Sequence, residues 1–295
     1  MTDLRTPDGE PAELPVLTVA HLSDTHLTSA GTLYNNVVDA DLALDRAAAV
    51  LEQAAADGRP IDVVVVSGDL TDTGDPDAYR RLRSRLEGIA PQIIWATGNH
   101  DVRAEFHRSL LGRTEDGPVL QVVRLPQLRI VVLDSTIVGA GHGRLEPGHL
   151  AELTAELAEP HPGGSVVVLH HAPLPPPSPL LTYFALERES RRALAAALAG
   201  TDVRLVLAGH HHLAGSGMLG TVPVAVAGST AIRTDPLARP GHERTTRSGS
   251  FNLVRFYDDG HTVSVIPVDG AEQVFDLDPA AAAAVIDAHP VNQVG

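Results

Sequence analysis

Five short apolar runs in this chain end abruptly in aspartate, asparagine or histidine. Each run has the length and the valine-, isoleucine- and leucine-rich composition of a strand buried inside a sheet. A single polar residue at a strand end is usually a cap or a turn residue, but five such ends are hard to explain by turn chemistry. They predict one site built from strand ends, which are Asp24-Thr25-His26, Gly68-Asp69, Gly98-Asn99-His100-Asp101, His170-His171 and Gly209-His210-His211-His212.

The order of the predicted elements indicates the fold class. Helical patterns over residues 39–56 and 187–199 alternate with strand-like runs such as 63–66, and the pattern becomes rich in strands from Met218 onward. We therefore predict an α/β fold, a four-layer α-β-β-α sandwich of two mixed sheets, with all five polar ends along one edge. Within the first end, an extended backbone would point Asp24 and His26 to the same side.

The same pattern predicts how the chain is divided. We expect a flexible lead-in over residues 1–14, a single domain over 15–270 and a C-terminal tail over 271–295, in which Ala280–Ala284 predicts a short helix. The first residues lack the apolar segment of a signal peptide, and no apolar run approaches the length of a membrane span. These features predict a cytoplasmic protein.

Charge and composition exclude several classes of partner. The formal net charge is −15, from 22 Lys and Arg against 37 Asp and Glu, which disfavours binding to nucleic acid or to an anionic membrane surface. A phosphate-containing ligand would need local positive charge, which bound metal ions can supply. The chain contains no cysteine, so disulfides and thiolate metal sites are excluded.

The strand ends offer two carboxylates, one amide and several imidazoles. Such oxygen and nitrogen ligands suit Mn, Fe or Zn better than Cu(I) or an iron–sulfur cluster. Two ions roughly 3.5–4 Å apart are the usual means of polarising a phosphoryl group. The ligands are numerous enough for two such ions.

Five blocks of the chain match one family pattern in order. They read D-x-H at Asp24 and His26, G-D at Asp69, G-N-H-D at 98–101, a single His at 170, and G-H-x-H at 209–212. Over residues 16–212 the chain therefore resembles the calcineurin-like metallophosphoesterases. Residues 23–27 and 169–173, together with the strand-rich end, are similar to the bacterial class III cyclic-nucleotide phosphodiesterases.

The resemblance implies a dinuclear metal site at the strand ends, with Fe, Mn or Zn as the two divalent or trivalent ions. One ion would take Asp24, His26, Asp69 and His212, and the other would take Asp69, Asn99, His170 and His210, with Asp69 bridging. A hydroxide between the ions would be the nucleophile.

The resemblance also implies residue roles around the metals. His100 would stabilise the transition state or protonate the leaving group, and either Asp72 or Asp101 would orient it. The residues implied in catalysis are His100, Asn99 and Asp72, and those implied in substrate binding are Asn99, His100 and His210.

The leading functional hypothesis is hydrolysis of cyclic nucleotides, 3′,5′-cAMP and also 2′,3′-cyclic nucleotides, to nucleoside monophosphates. The alternatives are a phosphodiesterase for other small diesters such as glycerophosphodiesters, a broad-specificity phosphatase, or an inactive binding or scaffold protein. The expected partner is a small-molecule phosphodiester, and the resemblance also suggests a homodimer.

Several nearby residues have competing interpretations. We predict that His171 is not a ligand, that His211 is structural or exposed to solvent, and that Tyr34 either stacks on a base or packs in the core. Residues 215–220 fit G-x-G-x-x-G, but a strand-like run follows them, so a hairpin turn is predicted rather than a dinucleotide site.

Overall fold

A computed structural model of the protein describes residues 13–270 and 273–288. The predicted lead-in over 1–14 lies almost entirely outside these residues, as does part of the predicted tail over 271–295, so the proposed domain limits stay predictions. The α-helices and strands, in chain order, are β1 (Leu17–Leu22), α1 (Ala40–Ala56), β2 (Val63–Ser67), α2 (Pro76–Leu86), β3 (Gln92–Ala96), α3 (Arg103–Phe106), β4 (Leu120–Arg124), β5 (Arg129–Leu133), α4 (Pro147–Leu157), β6 (Ser165–His171), α5 (Arg188–Leu198), β7 (Val203–Gly209), β8 (Gly215–Leu219), β9 (Val222–Val226), β10 (Arg233–Thr234), β11 (Thr245–Thr246), β12 (Ser250–Phe256), β13 (His261–Pro267) and α6 (Pro279–Ala288). A π-helical segment over His107–Leu111 continues α3, and a 3-10 helix covers Leu180–Phe184.

Eleven of the strands form two large mixed sheets, and β10 and β11 pair only with each other. One sheet has the order β13-β12-β1-β2-β3, with β1, β2 and β3 parallel and β12 antiparallel to β1. The other has the order β4-β5-β6-β7-β9-β8, with β5, β6, β7 and β9 parallel. Because parallel strands end at the same edge, each sheet carries its polar strand ends to one rim.

Alternation of side chains along the strands builds three apolar layers. In β2, Val63 and Val65 pack between the two sheets, whereas Val64 and Val66 pack on the opposite face, against Leu44 of α1 and neighbouring helical side chains. Helices α4 and α5 cover the outer face of the second sheet in the same way. The predicted four-layer α-β-β-α sandwich is therefore confirmed.

Aspartate residues cap the first two long helices, and two local predictions change. Asp39 and Asp75 cap α1 and α2, and each side chain accepts a backbone N–H of the first turn. The predicted hairpin turn over 215–220 is narrower than expected, because residues 215–219 form β8 and Gly220 makes the turn with a φ of 62°. The tail helix is longer than Ala280–Ala284.

Among the described residues, no helix has both the length and the apolar character needed to cross a membrane.

Candidate metal centre

The strand ends of both sheets meet at one place. The first sheet contributes the ends of β1, β2 and β3, and the second contributes those of β6 and β7. All seven predicted ligands lie there, buried except for Asn99 and His212, which are partly exposed; they are Asp24, His26, Asp69, Asn99, His170, His210 and His212.

Four of these residues surround one point. The Nε2 atoms of His26 and His212 lie 3.0 Å apart, and His212 Nε2 lies 3.2 Å from Asp24 Oδ1. His26 Nε2 is 3.6 Å from Asp69 Oδ2. Ligand atoms bound to one cation at roughly 2.0–2.2 Å are separated from each other by about 3–3.6 Å. These four residues therefore have the spacing of a metal site.

A second group shares Asp69 with the first. His170 Nε2 lies 3.3 Å from Asp69 Oδ2, 3.1 Å from Asn99 Oδ1 and 3.2 Å from His210 Nδ1. Oδ2 of Asp69 therefore faces both groups, which is the placement needed for a bridging carboxylate.

The protonation pattern of His170 tests whether these residues fit a cation. Its Nδ1 lies 2.9 Å from the carbonyl oxygen of Ser67, which can only accept, so Nδ1 carries the hydrogen. Nε2 faces oxygens of Asp69 and Asn99, which are acceptors too, so a positive charge is needed among them. Burial opposes protonation of the ring, but the charge of Asp69 outweighs it and raises the pKa of His170 to about 9, so in the metal-free chain the Nε2 proton supplies that charge. A metal ion in place of this proton satisfies the same converging atoms, so the residues fit bound metal.

A buried carboxylate oxygen in the first group points to the same conclusion. Oδ1 of Asp24 makes no aligned hydrogen bond among the described residues, although His212 Nε2 lies 3.2 Å away, and Oδ2 accepts the backbone N–H of His210 at 2.9 Å. A buried carboxylate oxygen without a donor costs free energy unless a positive charge lies beside it. The strand ends thus need positive charge.

The backbone at the predicted ligands differs from the sequence prediction. Asp24 and His26 have φ values of 53° and 45°, so the expected extended backbone at this strand end is wrong. Asp69, His210 and His212 are also left-handed, with φ of 49°, 70° and 48°. Left-handed backbone costs a non-glycine residue about 1–2 kcal/mol. Five strained residues gathered in one place are typical of a functional site, where the strain directs the side chains inward.

Close packing explains why two of the motif positions are glycine. A Cβ at Gly68, whose φ is 103°, would lie 2.5 Å from Nδ1 of His170. A Cβ at Gly209 would lie 1.8 Å from the Ser23 hydroxyl oxygen. Only glycine lets the two sheets approach closely enough for the ligand groups to share Asp69.

His100 stands beside the two groups with its side chain 40% exposed. Its backbone N–H donates to Asp69 Oδ1 at 2.8 Å, and its Nδ1 lies 3.0 Å from the Asp72 carbonyl oxygen and 3.2 Å from Asp72 Oδ1. Burial disfavours the charged ring, but the charges of Asp69 and Asp72 outweigh it and raise the pKa of His100. Nδ1 is therefore the anchored nitrogen, and Nε2 is the one left to meet a ligand.

Asp72 and Asp101, the two candidates for orienting His100, make different contacts. Asp72 touches His100 and also lies 3.5 Å from His26 Nδ1. Asp101 is turned away, because its carboxylate accepts the backbone N–H groups of Gly98 and Leu70 and the hydroxyl of Tyr79. Asp72 is placed to orient His100, whereas Asp101 stabilises the loops that contain Gly98 and Leu70.

Close packing of ionisable side chains in the two ligand groups shifts the pKa values of Asp69 and His210. Burial opposes ionisation of Asp69, yet contacts with His170 and His26 hold the pKa of this carboxyl well below its usual range. In His210, burial and the neighbouring imidazoles of His171 and His170 lower the pKa of the ring. Asp69 is therefore charged and His210 is neutral, which are the protonation states that metal binding requires.

Three neighbouring residues pack into the site. Tyr34 stacks on the His26 ring with centroids 4.4 Å apart and is 6% exposed, so of its two predicted roles the packing one applies. His211 is buried, and burial lowers its pKa to about 4, so the structural alternative applies. His171 is also buried, and both of its ring nitrogens contact protein atoms, Ser135 Oγ at 2.9 Å and the Gly141 carbonyl oxygen at 3.1 Å.

A sixth polar strand end matches none of the five family blocks. The apolar run of β5 is followed by Asp134, Ser135 and Thr136, which carry no histidine. Asp134 accepts from Arg103 Nε at 2.8 Å, and so joins the loop after His100 to the second sheet. The abrupt change from apolar to polar residues at Asp134 was the signal available.

Three comparisons relate the chain to known proteins. A family model described as Calcineurin-like phosphoesterase matches residues 17–214. The chain is 39% identical over 267 residues to the cAMP/cGMP dual specificity phosphodiesterase MT0825 of Mycobacterium tuberculosis, covering 88% of this chain and 82% of the relative. It is 41% identical over 257 residues to a probable cyclic nucleotide phosphodiesterase of Rhodococcus erythropolis, covering 85% and 83%.

A solved structure shares the fold. Purple acid phosphatase PPD1 from yellow lupin (Lupinus luteus) superposes with a TM-score of 0.63 at 16% identity, over 88% of this chain and 52% of that one. The chain thus spans about half the length of the phosphatase.

Proposed function

The chain belongs to the calcineurin-like phosphoesterase family, and from that premise we propose that it is a two-metal phosphodiesterase that hydrolyses cyclic nucleotides to nucleoside monophosphates. The observation that carries the proposal is the pair of ligand groups that share Asp69 Oδ2. When bound, two metal ions polarise phosphoryl oxygens and lower the pKa of coordinated water. Fe, Mn and Zn all suit the oxygen and nitrogen ligands.

His100 is the proposed catalytic residue. Asp72 holds its Nδ1, which leaves Nε2 free to contact a phosphate oxygen or the leaving ribose oxygen. The raised pKa keeps the ring protonated to higher pH, so it can balance negative charge and supply a proton. A group in this role contributes roughly 10²–10⁴-fold to the rate. Asn99 and His210 are the proposed additional substrate contacts.

The names of the two curated relatives favour a cyclic nucleotide over other diesters. The ligand groups themselves would serve glycerophosphodiesters or phosphomonoesters equally well, because they address only the phosphoryl group. An inactive scaffold role is disfavoured because no position of the ligand pattern is missing. A homodimer and a cytoplasmic location stay predictions.

The test is a substrate panel on protein whose metals have been quantified. The panel compares kcat/KM for 3′,5′-cAMP, 2′,3′-cAMP, a glycerophosphodiester and 4-nitrophenyl phosphate, with the Asp24→Asn variant purified in parallel to reveal contaminating activity. We expect a cyclic nucleotide to give the highest value. A higher kcat/KM for the glycerophosphodiester or for the monoester would contradict the proposed cyclic-nucleotide substrate and favour that other class. Inactivity on all four substrates with metals bound would support the scaffold alternative.

A further inference from the structure

The end of β5 reaches the metal centre without supplying a predicted ligand. The hydroxyl oxygen of Ser135 lies 2.9 Å from His171 Nδ1, and it also accepts the backbone N–H of His171 at 3.1 Å. We propose that Ser135 and His171 are positioning residues that hold His170 and His210 in the geometry of the second metal site. This inference rests on the proposed function, because it concerns the same two metals.

Hydrogen bonding fixes one tautomer of His171. The carbonyl oxygen of Gly141 lies 3.1 Å from Nε2 and can only accept, so Nε2 carries a hydrogen. With Nδ1 unprotonated, the hydroxyl of Ser135 donates to it. Both ring nitrogens are thus engaged by protein atoms, and the ring is an uncharged support rather than a ligand.

The ring of His171 is wedged against two predicted ligands. Its centroid lies 5.0 Å from that of His170 at an interplanar angle of 78°, and 4.5 Å from that of His210 at 46°. The backbone at Gly143 also packs closely against the His171 ring, since a Cβ at Gly143 would lie 2.5 Å from it. The rings of His170 and His210 are therefore held in place by a ring that is itself locked.

The contacts are confined to one of the two ligand groups. Within the part of the chain that the structure describes, no hydrogen bond or ring contact of His171 reaches Asp24, His26 or His212. Loosening His171 should therefore weaken the second metal while leaving the first in place. A general loss of stability would not discriminate between the metals.

The experiment titrates the full-length, metal-loaded protein with a chelator and counts the ions retained. Ser135→Ala removes the donor to Nδ1, and Ser135→Thr restores a hydroxyl. The matched control is Ser190→Ala, because Ser190 is also buried and its hydroxyl accepts the backbone N–H of Leu145, near the same loop, at 3.0 Å. His171→Gln keeps an amide donor for Gly141 but removes the ring, and serves if Ser135→Ala folds poorly.

We expect Ser135→Ala and His171→Gln to release one ion at about 10–100-fold lower chelator concentration, as is usual when a residue that orients a metal ligand is lost. Ser135→Thr and Ser190→Ala should release both ions as the wild type does. The inference is overturned if Ser135→Ala matches Ser190→Ala, or if both ions leave together, while the wild type holds two. A wild type that holds fewer than two ions overturns the proposed function, and this inference with it.

Discussion

Two buried polar clusters lie at opposite ends of the strands, and they differ in where the positive charge that balances their carboxylates comes from. At the amino ends of β5, β6 and β7, the guanidinium of Arg129 donates to both carboxylate oxygens of Asp202 at 3.0 and 3.1 Å and to the Ser165 hydroxyl at 2.8 Å. Arg129 also bonds Glu156 and is 3% exposed. This cluster contains its own cation and needs none from outside the chain, so we call it closed.

At the carboxyl ends, the seven predicted ligands are carboxylates, imidazoles and one amide, with no arginine or lysine among them, so we call this cluster open. Nε2 of His170 faces oxygens of Asp69 and Asn99 there, and five residues adopt strained backbone. A buried polar cluster that is not satisfied by the chain itself must be completed from outside. The proposed function assigns catalysis to the open cluster, and we expect the closed cluster to stabilise the fold; four predictions test this division.

The largest expected effect follows Asp69→Ala, which removes the carboxylate that both ligand groups share. Losing both metals forfeits several kcal/mol of transition-state stabilisation, so kcat should fall by more than about 10³-fold. Steady-state kinetics on a cyclic nucleotide, with metal content measured on the same sample, checks this. Undiminished turnover would show that the open cluster is not the catalytic centre.

At the edge of the open cluster, His100→Gln should lower kcat by roughly 10²–10⁴-fold while both metals stay bound. The reason is that His100 contacts Asp72 and Asp69 through Nδ1 and its backbone N–H, and belongs to neither ligand group. A diester with a good leaving group, such as a 4-nitrophenyl ester, should lose less, because it needs no proton. Equal losses on both substrates would exclude proton donation by His100.

For the closed cluster we expect the reverse outcome with Asp202→Ala. Removing this partner leaves the buried guanidinium of Arg129 without its main counter-charge, which costs about 3–5 kcal/mol of unfolding free energy. Denaturant unfolding should report this loss, while kcat of the folded fraction and metal content stay at wild-type values. A loss of metal without a loss of stability would contradict the division between the two clusters.

The smallest effect concerns acid stability of the metal-free chain. Burial holds the pKa of His211 at about 4, below its ordinary value of 6.5, so protons bind it more readily in the unfolded state. Its contribution to stability is complete above pH 6.5 and is lost as pH falls toward 4, by up to roughly 3 kcal/mol. His211→Gln should flatten this part of the curve, whereas His242→Gln, at an exposed position, should leave it unchanged.

The open cluster was easier to predict from sequence than its support. Each polar strand end, such as Gly98-Asn99-His100, is a local pattern, so the residues of the site were visible without the fold. The left-handed backbone at Asp24 and His26 was not, because the need for strain arises only when the two sheets meet.

The supporting residues depended on distant contacts. Ser135 and His171 touch only because β5 and β6 are neighbours, and no local spacing encodes that pairing. Likewise, either Asp72 or Asp101 could orient His100 on sequence grounds, and only the fold shows that Asp72 contacts His100. Four layers and mixed sheets followed from the order of the elements, whereas the strand order within each sheet did not.

The most direct test of the account is the metal content of the purified full-length protein, measured by mass spectrometry after exhaustive dialysis. The account predicts two ions per chain in the wild type and in Asp202→Ala, and a loss of both in Asp69→Ala. A fully active wild type that retains no metal after dialysis would contradict it.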